Sequence, residues 1–590
     1  MTKTHHLFVR TAASATGLAA LALIAAPAQA DGTAPCNTNA TAGNTSLECG
    51  VNSEATGGSG ATAVGANTDA SGSEATAIGE SAYATGSQST AVGEDSGATA
   101  TISTALGNIA RATENYSTAV GGYATASGEY TTTLGYEADA TANNGTAVGA
   151  FSQTDGAAGV AVGRSAVASQ TQSTAIGAYA SATGNRSTAI GAVGVSGSNS
   201  IGIGSETEGS YTEVSGNASV GIGNYNKATA DNVVALGYGS ESLQFGATAL
   251  GYSADSNGVR ATAVGYNAAA TGIRATSLGG NSNASADSAI AIGGYAAAAG
   301  VGSIAIGGDS ADSGQLASFA AGTNSIAIGT DSFSLSTGGI AMGGNATTGQ
   351  LFATVNDAIA IGTSAVANNS GAVALGANSL VRGDGAIALG SLASSENVGA
   401  LALGNEAAVT SDYGLAIGYK ASASTNRQAN AIGVLANATG DRSLATGVQA
   451  SASGTLSNAF GYRANASAGR ATAVGTLAQA TASAGTAVGT QANAAHNNST
   501  AIGYQAQTTR ASRPANCASV TAAMWFMLDR RLSTLALVAM LLTPSVPALS
   551  TVTTCSAPVC AASEAAMSPI FTELLAPPST TWFARVVCAW

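Results

Sequence analysis

The 590-residue sequence predicts an all-β fold, a narrow two-sheeted β-solenoid wound from 14-residue repeats, and three observations predict it. A Thr-Ala-(Val/Ile/Leu)-Gly string recurs at constant spacing, the residues around it alternate in character, and the composition is rich in small apolar side chains but poor in large ones.

The recurrence comes first. Its glycine falls at Gly65, Gly79, Gly93, Gly107, Gly121, Gly135, Gly149, Gly163, Gly177 and Gly191, each 14 residues after the last. The register resumes at Gly223 and holds to Gly307, then runs from Gly362 to Gly418 and from Gly433 to Gly503; with Gly204, Gly329 and Gly343 between these runs there are 31 such anchors in all. The residue before each anchor is almost always Val, Ile or Leu, as in Val64, Ile78, Val92, Leu106, Val120, Leu134 and Val148, and the residue two before it is nearly always Ala. Period-two alternation with β-branched residues is a strand signal. Fourteen residues hold two short strands and two tight turns but no helix. Glycine accepts positive φ at turns, and Ala lets two sheets lie close. One repeat cannot bury its own apolar face, so neighbours must stack. At roughly 4.8 Å per coil the array would form a rod of around 150 Å.

Composition narrows the function classes. Gly contributes 77 residues, charged residues 9%, aromatics 5% and hydrophobic residues 45%. Few large side chains argue against a thick-cored enzyme, and low charge argues against intrinsic disorder. Lys and Arg total 19 against 32 acids, a net charge of −13, so no basic surface for nucleic acid is expected.

The ends read differently. Lys3 and Arg10, the uncharged run Ala12–Ala26 and Ala28-Gln29-Ala30 form an export signal over residues 1–30, with cleavage after Ala30. In the segment 31–56, Cys36 and Cys49 would meet in an oxidising compartment and are expected to pair; the alternative is two unpaired thiols. The repeat region covers 57–509. From Pro514 onward the composition shifts sharply, with all three Trp and four of six Cys, and the tail 510–590 is left without a fold.

Steps of 19 residues (Gly204 to Gly223, Gly343 to Gly362) and 22 (Gly307 to Gly329) predict protruding loops at Ser205–Gly216, Gly308–Asn324 and Gly344–Asn356, grouped on one outer face.

The strings Ser89-Thr90-Ala91-Val92-Gly93, Ser187-Thr188-Ala189-Ile190-Gly191 and Ser325-Ile326-Ala327-Ile328-Gly329 resemble the head repeats of YadA-like trimeric autotransporter adhesins. The resemblance covers roughly Gly57 to Thr509 and rests on the register more than on any single string. It implies a left-handed parallel β-roll, a homotrimer of chains side by side, and a head that projects from the outer membrane to bind matrix proteins, host cells or other heads. The family continues into a coiled-coil stalk and a trimeric membrane barrel, whereas no sustained heptads or ~10-residue alternating strands follow Gly503. A break in the reading frame near Arg510 is therefore expected; the competing expectation is a secreted, anchorless head.

No residue pattern predicts catalysis, a cofactor, a metal or a small-molecule substrate. His496 is the one imidazole outside the N-terminus and reads as a surface turn residue. Gly202/Gly204 and Gly221/Gly223 do not open a helix after a strand, so they carry no phosphate loop. Asp is scattered and the period is 14, unlike calcium-binding nonapeptide rolls.

Two ladders are candidates for recognition. Thr recurs three residues before the anchor at Thr62, Thr76, Thr90, Thr104, Thr118, Thr132 and Thr146, and such a ladder resembles the ice-binding face of some antifreeze solenoids. The same position becomes Ile304, Ile326, Ile340, Ile359 and Ile387 further on, which reads as an inward or inter-chain face. Tyr follows the anchor directly at Tyr136, Tyr238, Tyr252 and Tyr266, and again at Tyr419, Tyr462 and Tyr504. These rings either face an extended protein ligand or cover the turns of adjacent coils. Residues 31–509 carry 12 basic and 29 acidic groups, a net of −17, which favours salt-sensitive attraction to basic partners over anionic lipid or nucleic acid. The sequence therefore points to a non-enzymatic surface adhesin head, exported to the cell surface, with a self-associating aggregation protein as the alternative and ice binding behind both.

Overall fold

Each coil is closed by two backbone features seven residues apart. In the computed structural model, described for residues 36–38, 45–205, 212–309, 317–349, 355–425, 427–508, 517–520 and 552–555, left-handed backbone recurs at Gln88, Asp95, Ile102, Ile109, Tyr116, Tyr123, Tyr130 and Glu137, with φ between 50° and 60°. A coil is thus two seven-residue halves. One half carries a three-residue strand ending just before the anchor, the other a two-residue return strand, as in Thr90–Val92 and Gly97–Ala98. The predicted strands and 14-residue winding are present, and no helix occurs among the described residues.

The chain divides into two compact units, Met1–Gly202 and Ile203–Trp590. In the first, anchor strands pair in parallel with the strand one coil on, so that Thr90, Ala91 and Val92 lie beside Thr104, Ala105 and Leu106, and return strands do likewise, Gly97 beside Arg111. The parallel sheet begins at Leu47–Cys49, which pairs with Thr62–Val64. Asn37–Thr38 pairs antiparallel on its outer edge, and a disulfide joins Cys36 to Cys49 there. An edge strand of this kind covers the open end of a solenoid.

The second unit repeats the same scheme from Ile222 onward, for example Leu401 beside Leu415 and Ala408 beside Ser422. Two of its long steps leave the anchor sheet intact: Ile304 still pairs with Ile326, and Ile340 with Ile359. The segments expected as loops contain the return strands Thr212–Val214, Phe319–Ala320 and Thr347–Thr348. The chain leaves the described coils after the anchor at Ser205 and Asp309 and after the return strand at Gly349; residues 206–211, 310–316 and 350–354, where the expected loops fall, lie outside the described residues. Residues Cys517–Val520 and Val552–Cys555 form an antiparallel pair. The export signal, and most of the tail, lie outside the described residues.

Four side chains per coil point inward, and all are small. In the coil of Gly93 they are Ser89, Ala91, Ser96 and Ala98, each fully buried. The interior is a column of Ala relieved by Ser and Thr, with Val at Val193, Val195, Val214, Val233, Val381 and Val409. The buried hydroxyls have work at the corners: Ser89 donates to the Gly86 carbonyl at 2.7 Å and Ser96 to the Gly93 carbonyl at 2.8 Å. Each of these turn carbonyls also accepts from the same serine's N–H at 3.3 Å, so the hydroxyl adds a second, shorter bond to it. The recurrent Ser-Thr-Ala-Val-Gly string reads directly as in-out-in-out-corner.

Candidate binding surface

Because Ala points in, the residues on either side of it point out. Val64, Ile78, Val92, Leu106, Val120, Leu134 and Val148 stack in register coil upon coil on the outer face of the anchor sheet. None belongs to the chain's own core; Ile78 is 39% and Leu134 47% exposed. The Thr ladder from Thr62 to Thr146 runs parallel to it on the same outer face. In the second unit the Thr row gives way to Ile304, Ile326, Ile340, Ile359 and Ile387, so nine successive anchor strands from Ile290 to Ile417 present only aliphatic side chains outward. Of the two earlier readings of this position, inward or inter-chain, the inward one is excluded. A continuous outward apolar strip, half-buried along most of its length and exposed at Met342, Leu375 and Leu403, marks an interaction surface.

The aromatic residues gather at the corner after the anchor. Tyr238 and Tyr252 stack with ring centroids 5.1 Å apart, and Tyr252 and Tyr266 at 5.3 Å. Tyr225 extends the row, 5.0 Å from Tyr238. In the first unit Tyr136 lies edge-on between Tyr123 at 5.8 Å and Phe151 at 5.6 Å. All four predicted tyrosines are exposed, between 46% and 55%. A hydrogen bond with Glu137, and then its charge, hold the Tyr136 hydroxyl above its ordinary pKa. The rings cover neighbouring turns and expose their edges at once, so the two readings of them are compatible. Tyr225, Tyr123 and Phe151 sit two residues after the anchor instead of one; scanning both positions together would have found the whole row. A further pair, Tyr116 and Tyr130, stacks at 4.8 Å on the other corner.

The outer face of the return sheet is mostly polar except between Ala297 and Leu380, where Phe319, Phe333, Val366 and Leu380 point outward. Lys227 bridges to Glu241 at 2.7 Å, between Glu213 and Asp255 one coil to either side. Arg111 reaches the ring and hydroxyl of Tyr83, and Arg164 lies 4.5 Å from the ring of Tyr179. His496 sits at a corner with its Nδ1 3.2 Å from the Thr508 hydroxyl. No group of three or more His, Cys, Asp or Glu able to hold a metal occurs among the described residues. Ser424, Thr425, Arg427, Thr439 and Asp441 line a shallow polar depression that is open to solvent. Among the described residues no helix is long and apolar enough to cross a membrane.

A family model described as the YadA head domain repeat (two copies) matches fifteen segments between residues 70 and 506, from 70–96 and 98–124 to 452–478 and 480–506, which together exceed half the chain. The chain belongs to the YadA head-repeat family. The four longest unmatched stretches, 193–214, 311–319, 348–355 and 408–428, are where the 14-residue step breaks. YadA heads are parts of surface-exposed adhesins, a family that is generally non-enzymatic. No curated protein matches the chain.

Proposed function

We propose that this YadA head is a non-enzymatic adhesin that assembles as a homotrimer through the outer face of its anchor sheet. The observation that carries this reading is the unbroken strip of outward aliphatic side chains from Ile290 to Ile417. An exposed strip of that length is costly in water, and a closed cyclic assembly covers it on every chain at once. Burying that strip leaves the corners and the return sheet facing outward. The tyrosine row Tyr225, Tyr238, Tyr252 and Tyr266 then forms the ligand-facing ridge, with Tyr136 on a second one, and the excess acidic charge steers basic stretches of a matrix protein, a host cell or another head toward it. Export through the signal over residues 1–30 delivers the head to the cell surface.

Light scattering on the exported chain tests the assembly: a mass of three chains is expected, and a stable single chain would refute it. Adhesion to immobilised collagen or fibronectin tests the ridge. Replacing Tyr238, Tyr252 and Tyr266 together by Ser should weaken binding at least tenfold with the mass unchanged; if clumping of heads is lost instead, the ligand is another head.

The in-register Thr ladder from Thr62 to Thr146 favours a second reading, ice binding. That face cannot serve both roles, since assembly covers it. Thermal hysteresis from a single-chain species would decide for ice.

A further inference from the structure

A ladder of near-identical rungs has a registration problem. From Ile290 to Ile417 every outward position on the anchor sheet is Ile, Val, Leu or Met, and successive rungs lie directly over one another. Two such faces can slide by one coil and meet almost the same surface again, so apolar contact alone barely distinguishes the correct pairing from a slipped one. The following three coils are different. Their outward pairs are Asn430 and Ile432, Leu444 and Thr446, and Asn458 and Phe460. Among the described anchor strands these are the two places where a carboxamide stands three residues before the anchor glycine.

Among the described residues neither carboxamide has its hydrogen-bonding capacity filled. Asn430 makes one long contact, its Nδ2 donating to the Gln428 carbonyl at 3.4 Å. Asn458 makes no side-chain hydrogen bond among the described residues, although an amide offers two donor hydrogens and two acceptor lone pairs. Two carboxamides with unspent hydrogen-bonding capacity therefore stand just past the end of the aliphatic strip, Asn430 between Leu415 and Leu444 and Asn458 between Leu444 and Thr472.

We propose that Asn430 and Asn458 fix the axial register of three copies of this chain; the proposal rests on the trimer reading above. In a symmetric assembly equal residues lie at equal height, so the three Asn430 side chains meet each other, as do the three Asn458. Their amides can then satisfy one another. A slip of one coil brings Asn430 against Leu415 or Leu444, and Asn458 against Leu444 or Thr472, and strands buried amides. A slip of two coils pairs one Asn430 with one Asn458 but leaves their counterparts against Leu401 and Thr486. Two asparagines two coils apart thus penalise every displacement, in the way a single polar residue in an apolar helical seam fixes its register.

The test uses the full chain. Leu403 and Ile417 are outward rungs on adjacent coils. Chains carrying Leu403→Cys and chains carrying Ile417→Cys are co-assembled and bridged with a short bis-maleimide, each thiol adding across one maleimide double bond. Peptide mapping then separates equal-height (403–403, 417–417) from one-coil (403–417) links and keeps the native cysteines apart. In the parent, one-coil links should be under a tenth of equal-height ones. In the Asn430→Leu/Asn458→Leu background, one-coil links should rise at least fivefold while light scattering still gives three chains. Leu is already carried at this position by Leu401, Leu415 and Leu444, so the coils are expected to fold, and Asn458→Thr, matching Thr472, provides a polar control of intermediate effect. A three-chain particle whose one-coil links stay unchanged in the double variant would overturn the proposal while leaving the trimer standing. A single-chain mass in the parent would remove the trimer itself.

Discussion

Gly93 lies so close beneath Gly107 that a methyl group on its α-carbon would run into the Gly107 carbonyl, and its φ of +132° is closed to other residues. The same relation links Gly107 to Gly121. The anchor glycine is thus fixed twice over, by conformation and by the space left by the next coil.

Gly93→Ala should accordingly cost about 1–3 kcal/mol from backbone strain alone, and more once the clash is added. Gly308, which has open space around its α-carbon, gives the control, and Gly308→Ala should be near neutral. Hydrogen exchange resolved by coil reads the result; unchanged protection around residues 79–107 in Gly93→Ala would contradict the account.

Inward and outward neighbours should respond oppositely to size. Ala374 is fully buried against other Ala, whereas Leu375 beside it is 40% exposed. Ala374→Leu overpacks the column and should cost about 1–3 kcal/mol. Leu375→Asp should leave the β-sheet circular dichroism intact and lower the molar mass in solution. If Leu375→Asp unfolds the chain and Ala374→Leu does not, inside and outside have been assigned the wrong way round.

Ile109 holds a φ of 58°, a region a β-branched residue occupies at a cost, while its N–H donates to the Glu94 carbonyl at 2.8 Å. Asn tolerates this conformation and occupies the equivalent corner at Asn67 and Asn281. Ile109→Asn should therefore stabilise its coil by about 1 kcal/mol, against the usual trend of substitutions. Thermal unfolding would show this as a higher midpoint; a lower one would mean the Ile side chain contributes packing that outweighs the strain.

Two carboxylates set a pH dependence. Burial first, then the Asp155 charge, raise the Asp139 carboxyl above its ordinary 3.8; for Asp255, burial and Glu241 raise it against the opposing Lys227. Each has a buried oxygen without a hydrogen-bond partner. A carboxyl whose pKa is higher folded than unfolded stays protonated longer in the native state. Its contribution is complete below 3.8 and is lost as the pH rises through the raised value. The Asp139→Asn/Asp255→Asn variant should therefore be the more stable at neutral pH and lose less stability on going from mildly acid to neutral conditions. Equal slopes for parent and variant in thermal unfolding would rule these two groups out.

The sequence by itself determined the winding. A period of 14 with Ala two before and Val, Ile or Leu one before each glycine leaves no room for a helix, and strict alternation commits every second residue to one side. Strand positions, the parallel stacking of equal residues and the place of Ser89, Ala91 and Gly93 all follow from that count. The seven-residue backbone period stayed hidden, because the residues that adopt it, Gln88, Asp95, Ile102, Ile109 and Tyr116, have no chemistry in common: the turn is held by hydrogen bonds between main chains, such as Ile102 N–H to the Ser87 carbonyl, and these do not select a side chain. That Ala fills the inside was legible from volume, since two sheets this close admit Ala91 and Ala98 and expel Val92. The tertiary structure decided that the position of Ile304 and Ile326, open to an inward or an inter-chain reading, faces outward. It also decided that Tyr225 joins Tyr238 although their offsets from the anchor differ, because both offsets fall on one corner.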